Sequence, residues 1–431
     1  MPQLIGVMSR LLEDLAARGL LYQQTHAEEL TTHLAEPRRV YGGFDPTSDS
    51  LTVGNLLVLQ LLARFQRAGH TPVIILGGGT GLIGDPSGKS AERPTLSAEV
   101  IGANVQAQRQ IFARLFSFEG PNAAIVLNNG DWLSKLGFLE VLRDIGKHFS
   151  VNMMIQKDSV RERLHGREQG ISYTEFSYML LQAYDFLHLL QEHQVTLQVA
   201  GSDQWGNIVA GVELIRRVRQ REAFGLTAPL ITKSDGTKFG KTETGAIWLT
   251  QERTSAYQFY QFWLNTSDDE VAKYLKVFTH FSLEQIAELE AAQAANPGAR
   301  SAQRALADHM TELLHGADAR LQAEQAAAAL FSGEVRELSE ALLEEILASA
   351  PSSAHSRDAL GGDGISAVEL LVETGIATSK RQAREFLANG AVTFNGAKVA
   401  PEANVTVADL LHAKLLLVRR GKKTWHVTRW S

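Results

Sequence analysis

A strand, a helix and a second strand follow one another between residues 38 and 79, with glycine-bearing turns after both strands. RRVYGGFDPT predicts a short strand, SLTVGNLLVLQLLARFQRAG predicts a helix by its apolar spacing, and HTPVIILGGG predicts a buried strand. The alternating strand at 195–199 also runs into a polar turn, GSDQWG. This order is typical of an α/β fold with a parallel sheet, in which ligands bind at the carboxyl ends of the strands.

The chain changes character after residue 250. Strand signals vanish to about residue 330, where apolar side chains such as Leu306 and Leu321 follow helical spacing in an alanine-rich stretch. Ser, Pro and Gly in 332–365 predict a flexible connection. Two short helices and β-hairpin material are predicted beyond it, and the first hairpin turns at Asn395–Gly396.

Composition excludes several classes of protein. The 431 residues contain no cysteine, so disulfides, thiolate nucleophiles, zinc–thiolate sites and iron–sulfur clusters are excluded. No apolar run approaches the roughly 20 residues that span a bilayer, and the first residues lack the pattern of a secretory signal. We therefore expect a cytoplasmic protein with no membrane partner.

The net charge of −6 conceals a basic end. Residues 366–431 hold ten Lys or Arg against five Asp or Glu, a charge of +5 that leaves −11 for the rest of the chain. Three of the cations begin a predicted helix, where positive charge opposes the helix dipole. The pattern favours a surface that follows phosphates, although a merely soluble basic appendage stays open, and charge alone does not choose RNA over DNA. The candidate residues are Lys380, Arg381, Arg384, Arg419, Arg420, Lys422 and Lys423.

A polar motif stands at the start of the first predicted helix. Thr52 and Asn55 lie three residues apart in its predicted first turn, so they share a face, and Gly54 lies between them. Free backbone amides and the helix dipole make such an end an anion site, and glycine would let a flat base approach the backbone. An ordinary capped helix explains the same residues.

Three further motifs each carry two interpretations. The run 77–89 matches GxGxxG weakly and misses the P-loop spacing, so it is either a phosphate-binding turn or a plain loop. Tyr178, Gln182 and Asp185 form a helical stripe that is either a polar pocket wall or a solvated face. The lysine-rich run 233–245 is either a solvated loop or a loop that closes cations over phosphate.

Together and in this order, the motifs resemble the bacterial tyrosyl-tRNA synthetases, a family of class I aminoacyl-tRNA synthetases. The HIGH-like signature appears as Thr52-Val53-Gly54-Asn55, and the KMSKS-type loop appears as Lys238-Phe239-Gly240-Lys241-Thr242. Between them lie GLIGDPSGK, GKHFSVN, EFSYMLLQAYDF and GSDQWGN. The basic end resembles a small RNA-binding domain shared with a ribosomal small-subunit protein, so the resemblance covers almost the whole chain.

The resemblance implies four regions. A Rossmann-like parallel-sheet catalytic domain would span 1–247, with the KMSKS-type loop at 238–242, and a helical anticodon-side domain would span 248–332. A linker at 333–364 would lead to a small α+β RNA-binding domain at 365–431. The resemblance also implies a homodimer that forms through the region near 130–165.

The implied activity is that of a tyrosine–tRNA ligase, with L-tyrosine, ATP and tRNA(Tyr) as partners, Mg²⁺ accompanying ATP, and no protein-bound metal. Tyr41 and Asp185 would hold the phenol hydroxyl. The resemblance assigns the remaining residues to three groups: Asp85, Tyr178 and Gln182 at the ammonium group, with Gln198 on the tyrosine side; Asp45, Gly54, Asp203, Gln204, Lys238 and Lys241 at ATP or the adenylate; and Thr47, Thr52, Asn55, Lys89, Arg93, Lys238 and Lys241 in catalysis.

Thr52 departs from the family pattern, because it stands where relatives usually carry a histidine. Threonine can donate one hydrogen bond but cannot carry a positive charge. We expect activity to survive, since the hydroxyl can reach phosphate and Lys238 and Lys241 remain. Two alternatives are a catalytically weakened paralogue that acts as an RNA-binding protein, supported by Thr52 alone, and a synthetase for tryptophan, which Tyr41 with Asp185 disfavours.

Overall fold

The computed structural model of the chain describes residues 10–87, 96–157, 160, 161, 164, 170–232, 236, 239–242, 245–332, 334–347, 350–421 and 424–431. The chain forms two compact units. One consists of Met1–Thr254 and Phe262–Leu314, and the other consists of Ser255–Gln261 and His315–Ser431.

The first unit is built on one mainly parallel sheet. Its described strands are β1 (Gln23–Gln24), β2 (Arg39–Phe44), β3 (Thr71–Leu76), β4 (Ile125–Asn128), β5 (Val195–Gly201) and β6 (Phe224–Ala228). Their order in the sheet is β1-β6-β5-β2-β3-β4. Neighbours from β6 to β4 are parallel, and β1 pairs antiparallel with β6 at the edge. A separate two-stranded ribbon joins β7 (Lys241–Thr242) to β8 (Gly245–Ala246).

Helices connect these strands and continue beyond them. In chain order they are α1 (Leu11–Ala17), α2 (Ala27–His33), α3 (Leu56–Arg67), α4 (Ala98–Leu115), α5 (Gly130–Leu133), α6 (Phe138–Glu140), α7 (Val151–Ile155), α8 (Tyr173–His193), α9 (Trp205–Arg219), α10 (Ala256–Leu264), α11 (Val271–Phe278), α12 (Leu283–Ala295) and α13 (Ser301–His315). None of the described helices is both long enough and apolar enough to cross a membrane.

The strand order reverses between β2 and β5. From β2 the chain moves outward to β3 and β4, and it then returns to β5 on the opposite side of β2. At such a switch point the turns after the two strands diverge, which leaves a crevice at the carboxyl edge of the sheet. The predicted α/β fold with a parallel sheet is confirmed, and the polar turns after Phe44 and Gly201 flank this crevice.

The second unit contains a five-stranded sheet in the order β12-β11-β14-β15-β9. Its described strands are β9 (Ser352–His355), β10 (Ile365–Ser366), β11 (Val392–Phe394), β12 (Ala397–Lys398), β13 (Asn404–Val405), β14 (Leu415–Arg420) and β15 (Thr424–Trp430), and its helices are α14 (Ala317–Ser332), α15 (Glu340–Ile346), α16 (Ala367–Glu373) and α17 (Lys380–Ala388). Asn395 and Gly396 both adopt positive φ, 46° and 86°. This is the tight hairpin turn that the sequence predicts.

Alternate side chains of β14 enter two separate cores. Leu416 and Val418 pack in one buried cluster with residues of α16 and α17. Leu415 and Leu417 pack in the other, with residues of α14 and α15. Because successive side chains of a strand point to opposite faces, helices cover both faces of this sheet.

The predicted linker at 333–364 differs from what the structure shows there. Leu343, Ile346 and Leu347 are buried in the core under β14, and β9 pairs parallel with β15 from Val427–Ser352 to Trp430–His355. The Ser, Pro and Gly residues of this segment are typical of turns. Ile346 and Leu347, however, lie three and four residues after Leu343, which is the spacing of a helical face that packs against a core. The segment therefore supplies a helix and an edge strand to the second unit.

Leu343→Ala tests this packing. Leu343 is fully buried, so its truncation is expected to lower the free energy of unfolding by about 2–5 kcal/mol in urea denaturation. Leu321→Ala, in which the original side chain is 43% exposed, is the matched control and should cost far less. Equal losses in the two variants would show that the segment does not form part of the core.

Candidate active site

A cavity of about 570 Å³ opens at the crevice between β2 and β5. The described residues predicted for the catalytic site all line this one cavity, although they come from five separate stretches of the chain. They are Tyr41, Asp45, Thr47, Thr52, Gly54, Asn55, Asp85, Tyr178, Gln182, Asp185, Gln198, Asp203, Gln204 and Lys241. Lys89, Arg93 and Lys238 lie outside the described residues.

Tyr41 and Asp185 form a buried polar pair in the cavity wall. The hydroxyl of Tyr41 has no hydrogen-bond partner in the described part of the chain. Burial and the negative charge of Asp185 raise the pKa of Tyr41 well above its usual value. Burial also raises the pKa of Asp185 to about 7. An unpaired buried hydroxyl costs free energy, so this position suits a ligand group that both donates and accepts a hydrogen bond.

Two residues that the sequence analysis did not identify hold Asp185 in place. Asn129 Nδ2 donates to one carboxylate oxygen of Asp185 at 2.8 Å, and Trp132 Nε1 donates to the other at 2.7 Å. Both follow β4, so the signal that marked other site residues, a polar turn after a strand, was present here too. These bonds fix the carboxylate and oppose the rise of its pKa.

Asn129 also connects this pair to a second carboxylate. Its Nδ2 donates to Thr80 Oγ1 at 2.9 Å, and Thr80 Oγ1 donates to Asp45 Oδ1 at 2.8 Å. Asp45 Oδ2 accepts from the hydroxyl of Tyr178 at 3.1 Å. A continuous hydrogen-bonded chain therefore runs from Asp185 to Tyr178.

The three residues that the resemblance assigns to the substrate ammonium, Asp85, Tyr178 and Gln182, all line the cavity, and each has its own hydrogen-bond partners. Asp85 accepts from the backbone amide of Ser87 at 2.9 Å and from Gln204 Nε2 at 2.6 Å, whereas Tyr178 donates to Asp45. Asn207 Nδ2 bridges Gln182 and Gln204, at 3.1 Å to each side-chain oxygen. Two of the carboxylates that line the cavity, those of Asp45 and Asp85, thus each have polar partners around them.

The Thr52–Asn55 motif lies in front of the helix and does not form its first turn. Helix α3 begins at Leu56. The backbone amide and the hydroxyl of Thr52 both donate to Asn55 Oδ1, at 3.0 Å each. The residues around Thr52 are instead held by backbone pairing to a distant segment, which explains why helical geometry starts later than the spacing predicts.

That distant segment follows the KMSKS-type loop. The amide of Val53 donates to the carbonyl of Ile247 at 3.0 Å, and the amide of Leu249 donates to the carbonyl of Leu51 at 2.8 Å. The amide of Ile247 also donates to the carbonyl of Gly240 at 3.0 Å. The two signature segments are therefore joined through their backbones, and Lys241 on β7 lines the shared cavity.

The predicted RNA-binding residues all belong to the second unit, and they separate into two groups. Lys380, Arg381 and Arg384 are exposed on α17, where Lys380 pairs with Glu369 at 2.7 Å. Arg419 and Arg420 are half-buried, with guanidinium groups over the rings of Trp425 and Phe386 at 4.9 and 5.1 Å. Lys422 and Lys423 lie outside the described residues. Arg419 and Arg420 therefore contribute to packing as well as to charge.

Over the described part of the chain, no group of three or more His, Asp or Glu side chains is arranged to hold a metal ion.

Known families match both parts of the chain. The family described as tRNA synthetases class I (W and Y) matches residues 33–332, and the tyrosine–tRNA ligase SYY-like C-terminal domain matches residues 343–428. The parallel sheet and its crevice are thus those of a class I tRNA synthetase.

Individual relatives of the chain are tyrosine–tRNA ligases. A tyrosine–tRNA ligase of Roseiflexus castenholzii is 49% identical over 98% of this chain and 100% of its own length, and tyrosine–tRNA ligase 1 of Bacillus anthracis is 50% identical over 97% and 100%. The structure of a C-terminally truncated mitochondrial tyrosyl-tRNA synthetase of Aspergillus nidulans, 29% identical, matches 77% of this chain and 99% of its own with a TM-score of 0.69. The chain belongs to the tyrosine–tRNA ligase family.

Gly240→Ala tests the close approach of the two signature segments. A Cβ atom on Gly240 would lie 2.4 Å from Val53 Cγ2, whereas one on Gly236 would meet nothing within 4 Å among the residues that the structure describes. Both glycines have φ of 80°, so the two alanine variants share the same backbone cost. We expect Gly240→Ala to lower the free energy of unfolding by about 1–3 kcal/mol more than Gly236→Ala, by urea denaturation. Identical values would contradict the tight pairing.

Proposed function

We propose that this chain activates L-tyrosine with ATP to form tyrosyl-adenylate and pyrophosphate, and then transfers tyrosine to the 3′-terminal ribose of tRNA(Tyr). The observation that carries this proposal is the unpaired buried hydroxyl of Tyr41 beside Asp185. It lies in the cavity of a chain whose relatives at 49–50% identity are tyrosine–tRNA ligases. They give no support to a weakened RNA-binding paralogue.

In this proposal, Tyr41 and Asp185 recognise the phenol hydroxyl of tyrosine. The hydroxyl of the substrate donates to the Asp185 carboxylate and accepts from Tyr41, which satisfies the unpaired group in the wall. Phenylalanine would leave the hydroxyl of Tyr41 buried without a partner and would give the carboxylate of Asp185 no donor beyond Asn129 and Trp132. This penalty is the physical basis for rejecting it. Tryptophan offers a donor but no acceptor at this end.

The ammonium and carboxylate of tyrosine lie toward the other polar groups. Asp85, Tyr178 and Gln182 hold the ammonium, and the carboxylate of Asp45, which accepts from Tyr178, lies in the same wall. Gln198 lines the tyrosine side, where its buried Oε1 has no partner in the part of the chain that the structure describes. A cation among anionic and amide groups is favourable because charge-assisted hydrogen bonds are the stronger ones.

Adenylate formation needs positioning more than proton transfer. The tyrosine carboxylate is ionised at neutral pH, so its oxygen attacks the α-phosphorus of ATP directly while the bond to pyrophosphate breaks. Catalysis then consists of in-line placement and neutralisation of charge on the leaving pyrophosphate.

The ATP side of the cavity supplies the groups for that task. Lys241, Thr47, Thr52 and Asn55 line it, and Lys89, Arg93 and Lys238 join them on sequence grounds. Asp45, Gly54, Asp203 and Gln204 hold the adenylate, with Asp203 at the ribose. Mg²⁺ enters with ATP and offsets phosphate charge.

Exchange of labelled pyrophosphate into ATP tests the proposed activity. The wild-type chain should show exchange that depends on tyrosine and not on tryptophan, despite Thr52. Absence of tyrosine-dependent exchange would refute the proposal. A Thr52→Ala variant that loses less than about tenfold, or about 1.4 kcal/mol of transition-state stabilisation, would remove Thr52 from the catalytic set.

Tyrosine binding should depend on pH through Asp185. In the free protein the pKa of this carboxyl is about 7, and a phenol hydroxyl favours the ionised form by donating to it. Binding should therefore strengthen as pH rises through 7 and level off above it, with the dissociation constant falling about tenfold between pH 6 and pH 8. Equilibrium dialysis measures this. A flat profile would contradict the assignment, and Asp185→Asn should abolish the dependence.

We also propose the predicted division of labour along the chain. Residues 1–247 activate tyrosine, residues 248–332 form a helical region on the anticodon side, and residues 365–431 bind tRNA. Exposed Arg381 and Arg384, three residues apart on α17, support the last assignment, because exposed cations on one helix face can follow a phosphate backbone. Arg419 and Arg420 add two further cations in the same unit, and Lys422 and Lys423 join them on sequence grounds.

Charge reversal tests that surface. The double variant Arg381→Glu, Arg384→Glu should weaken tRNA binding about tenfold or more and lessen its salt dependence, while pyrophosphate exchange stays at the wild-type level. Arg109→Glu, at another exposed helical arginine, is the matched control. Loss of exchange together with charging would contradict the division of labour.

A homodimer through the region near 130–165 completes the proposal. Large apolar side chains are exposed there, with Phe138 at 67%, Leu139 at 79%, Val151 at 57% and Met153 at 56%. Large apolar side chains that are exposed in one region of the chain favour an interface there. Sedimentation at micromolar concentration should return twice the chain mass of 47.2 kDa, and a single species at the mass of one chain would contradict the dimer. Cytoplasmic residence stays a prediction from sequence.

A further inference from the structure

Phe239 of the KMSKS-type loop is buried in a cage of aromatic rings. Its ring stacks on Phe278 at 5.1 Å between centroids and 14° between planes. It also contacts Tyr274 at 4.9 Å, Phe262 at 5.5 Å and Trp263 at 5.8 Å. A loop residue with four aromatic neighbours is held far more firmly than the exposure of Lys241 alone would predict.

The cage itself is fixed to the helix that follows the HIGH-like signature. Arg64 on α3 donates to the carbonyls of Lys276 and Thr279 at the end of α11. Arg18, the residue directly after α1, donates to the carbonyl of Phe281, just beyond that end, at 2.9 Å. Both guanidinium groups are largely buried and lie at the negative end of the α11 dipole. The position of the cage is therefore set by the same helix that begins at Leu56.

Phe239 lies two residues before Lys241, and Gly240 between them adopts φ of 80°. Phe239 and Lys241 both line the cavity, and this turn places the ring of Phe239 among the cage residues. Nothing in the predicted set of site residues assigns a role to Phe239.

We propose that Phe239 is a positioning residue for the nucleotide step, because its docking in the cage of Phe262, Trp263, Tyr274 and Phe278 holds Lys241 at the cavity. The inference rests on the proposed function. With Phe239 docked, Lys241 is ordered before ATP reacts. Without the docked ring, Lys241 has to become ordered during the reaction, so the free-energy cost of ordering it lowers kcat. Tyrosine binding, which uses the opposite side of the cavity, is untouched.

Phe239→Ala in the full chain is the primary test. In pyrophosphate exchange we expect kcat to fall about 10–100-fold, with the tyrosine dissociation constant within about twofold of wild type. Phe239→Leu keeps an apolar side chain of similar reach and should recover most of kcat. Wild-type exchange is measured alongside, so an inactive wild type would reject the proposed function, whereas an active one leaves the inference to the variants.

Two further variants separate positioning from general stability. Phe278→Leu removes the stacked ring from the cage side, and it should lower kcat in the wild type but add little in the Phe239→Ala background. Phe224→Leu, at a buried ring on β6, is the control, and it should lower the unfolding temperature without changing kcat. If Phe239→Ala does not fold, Phe278→Leu decides alone.

Wild-type kcat in Phe239→Ala would overturn the inference, and so would wild-type kcat in Phe278→Leu. A parallel fall of kcat and tyrosine affinity in all variants, including Phe224→Leu, would also overturn it, because that pattern reports general destabilisation.

Discussion

The parallel pairing of β2 with β5 is the constraint on which the rest of the site depends. Tyr41 lies opposite Gln198 in this register, so two residues far apart in the chain reach the same wall. The turns that follow the two strands carry Asp45 and Asp203 to the same edge of the sheet. Any other neighbour for β2 on this side would separate the groups that we assign to tyrosine from those that we assign to the adenylate.

Hydrogen bonds from the turn after β4 then orient the side chains that this pairing brings together. Asn129, after β4, donates to Asp185 and to Thr80, and Thr80 donates to Asp45. The buried carboxylate of Asp185 is thereby fixed in orientation, while burial keeps its pKa near neutrality. A group in that state is sensitive to a single added donor, which is what a phenol hydroxyl provides.

Much of this arrangement could be predicted from the sequence. Strand and turn signals located β2, β3 and β5, and every predicted catalytic residue that the structure describes lines one cavity. The role of each residue came from the resemblance and remains a proposal. The turn-forming residues around Leu343, Ile346 and Leu347 made their helical spacing hard to recognise in the sequence. Asn129 and Trp132 could not be assigned because a sequence motif does not show which side chains hydrogen-bond to one another. The start of α3 was misplaced because its preceding turn is held by residues 247–249, far away in sequence.

A crystal structure of the chain with L-tyrosine bound tests the central claim most directly. We expect the phenol oxygen within about 3 Å of both Tyr41 Oη and a carboxylate oxygen of Asp185, and the ammonium group near Asp85 and Tyr178. A tyrosine bound in the reverse orientation, with its ammonium at Asp185, would contradict it, as would a phenol that contacts neither residue.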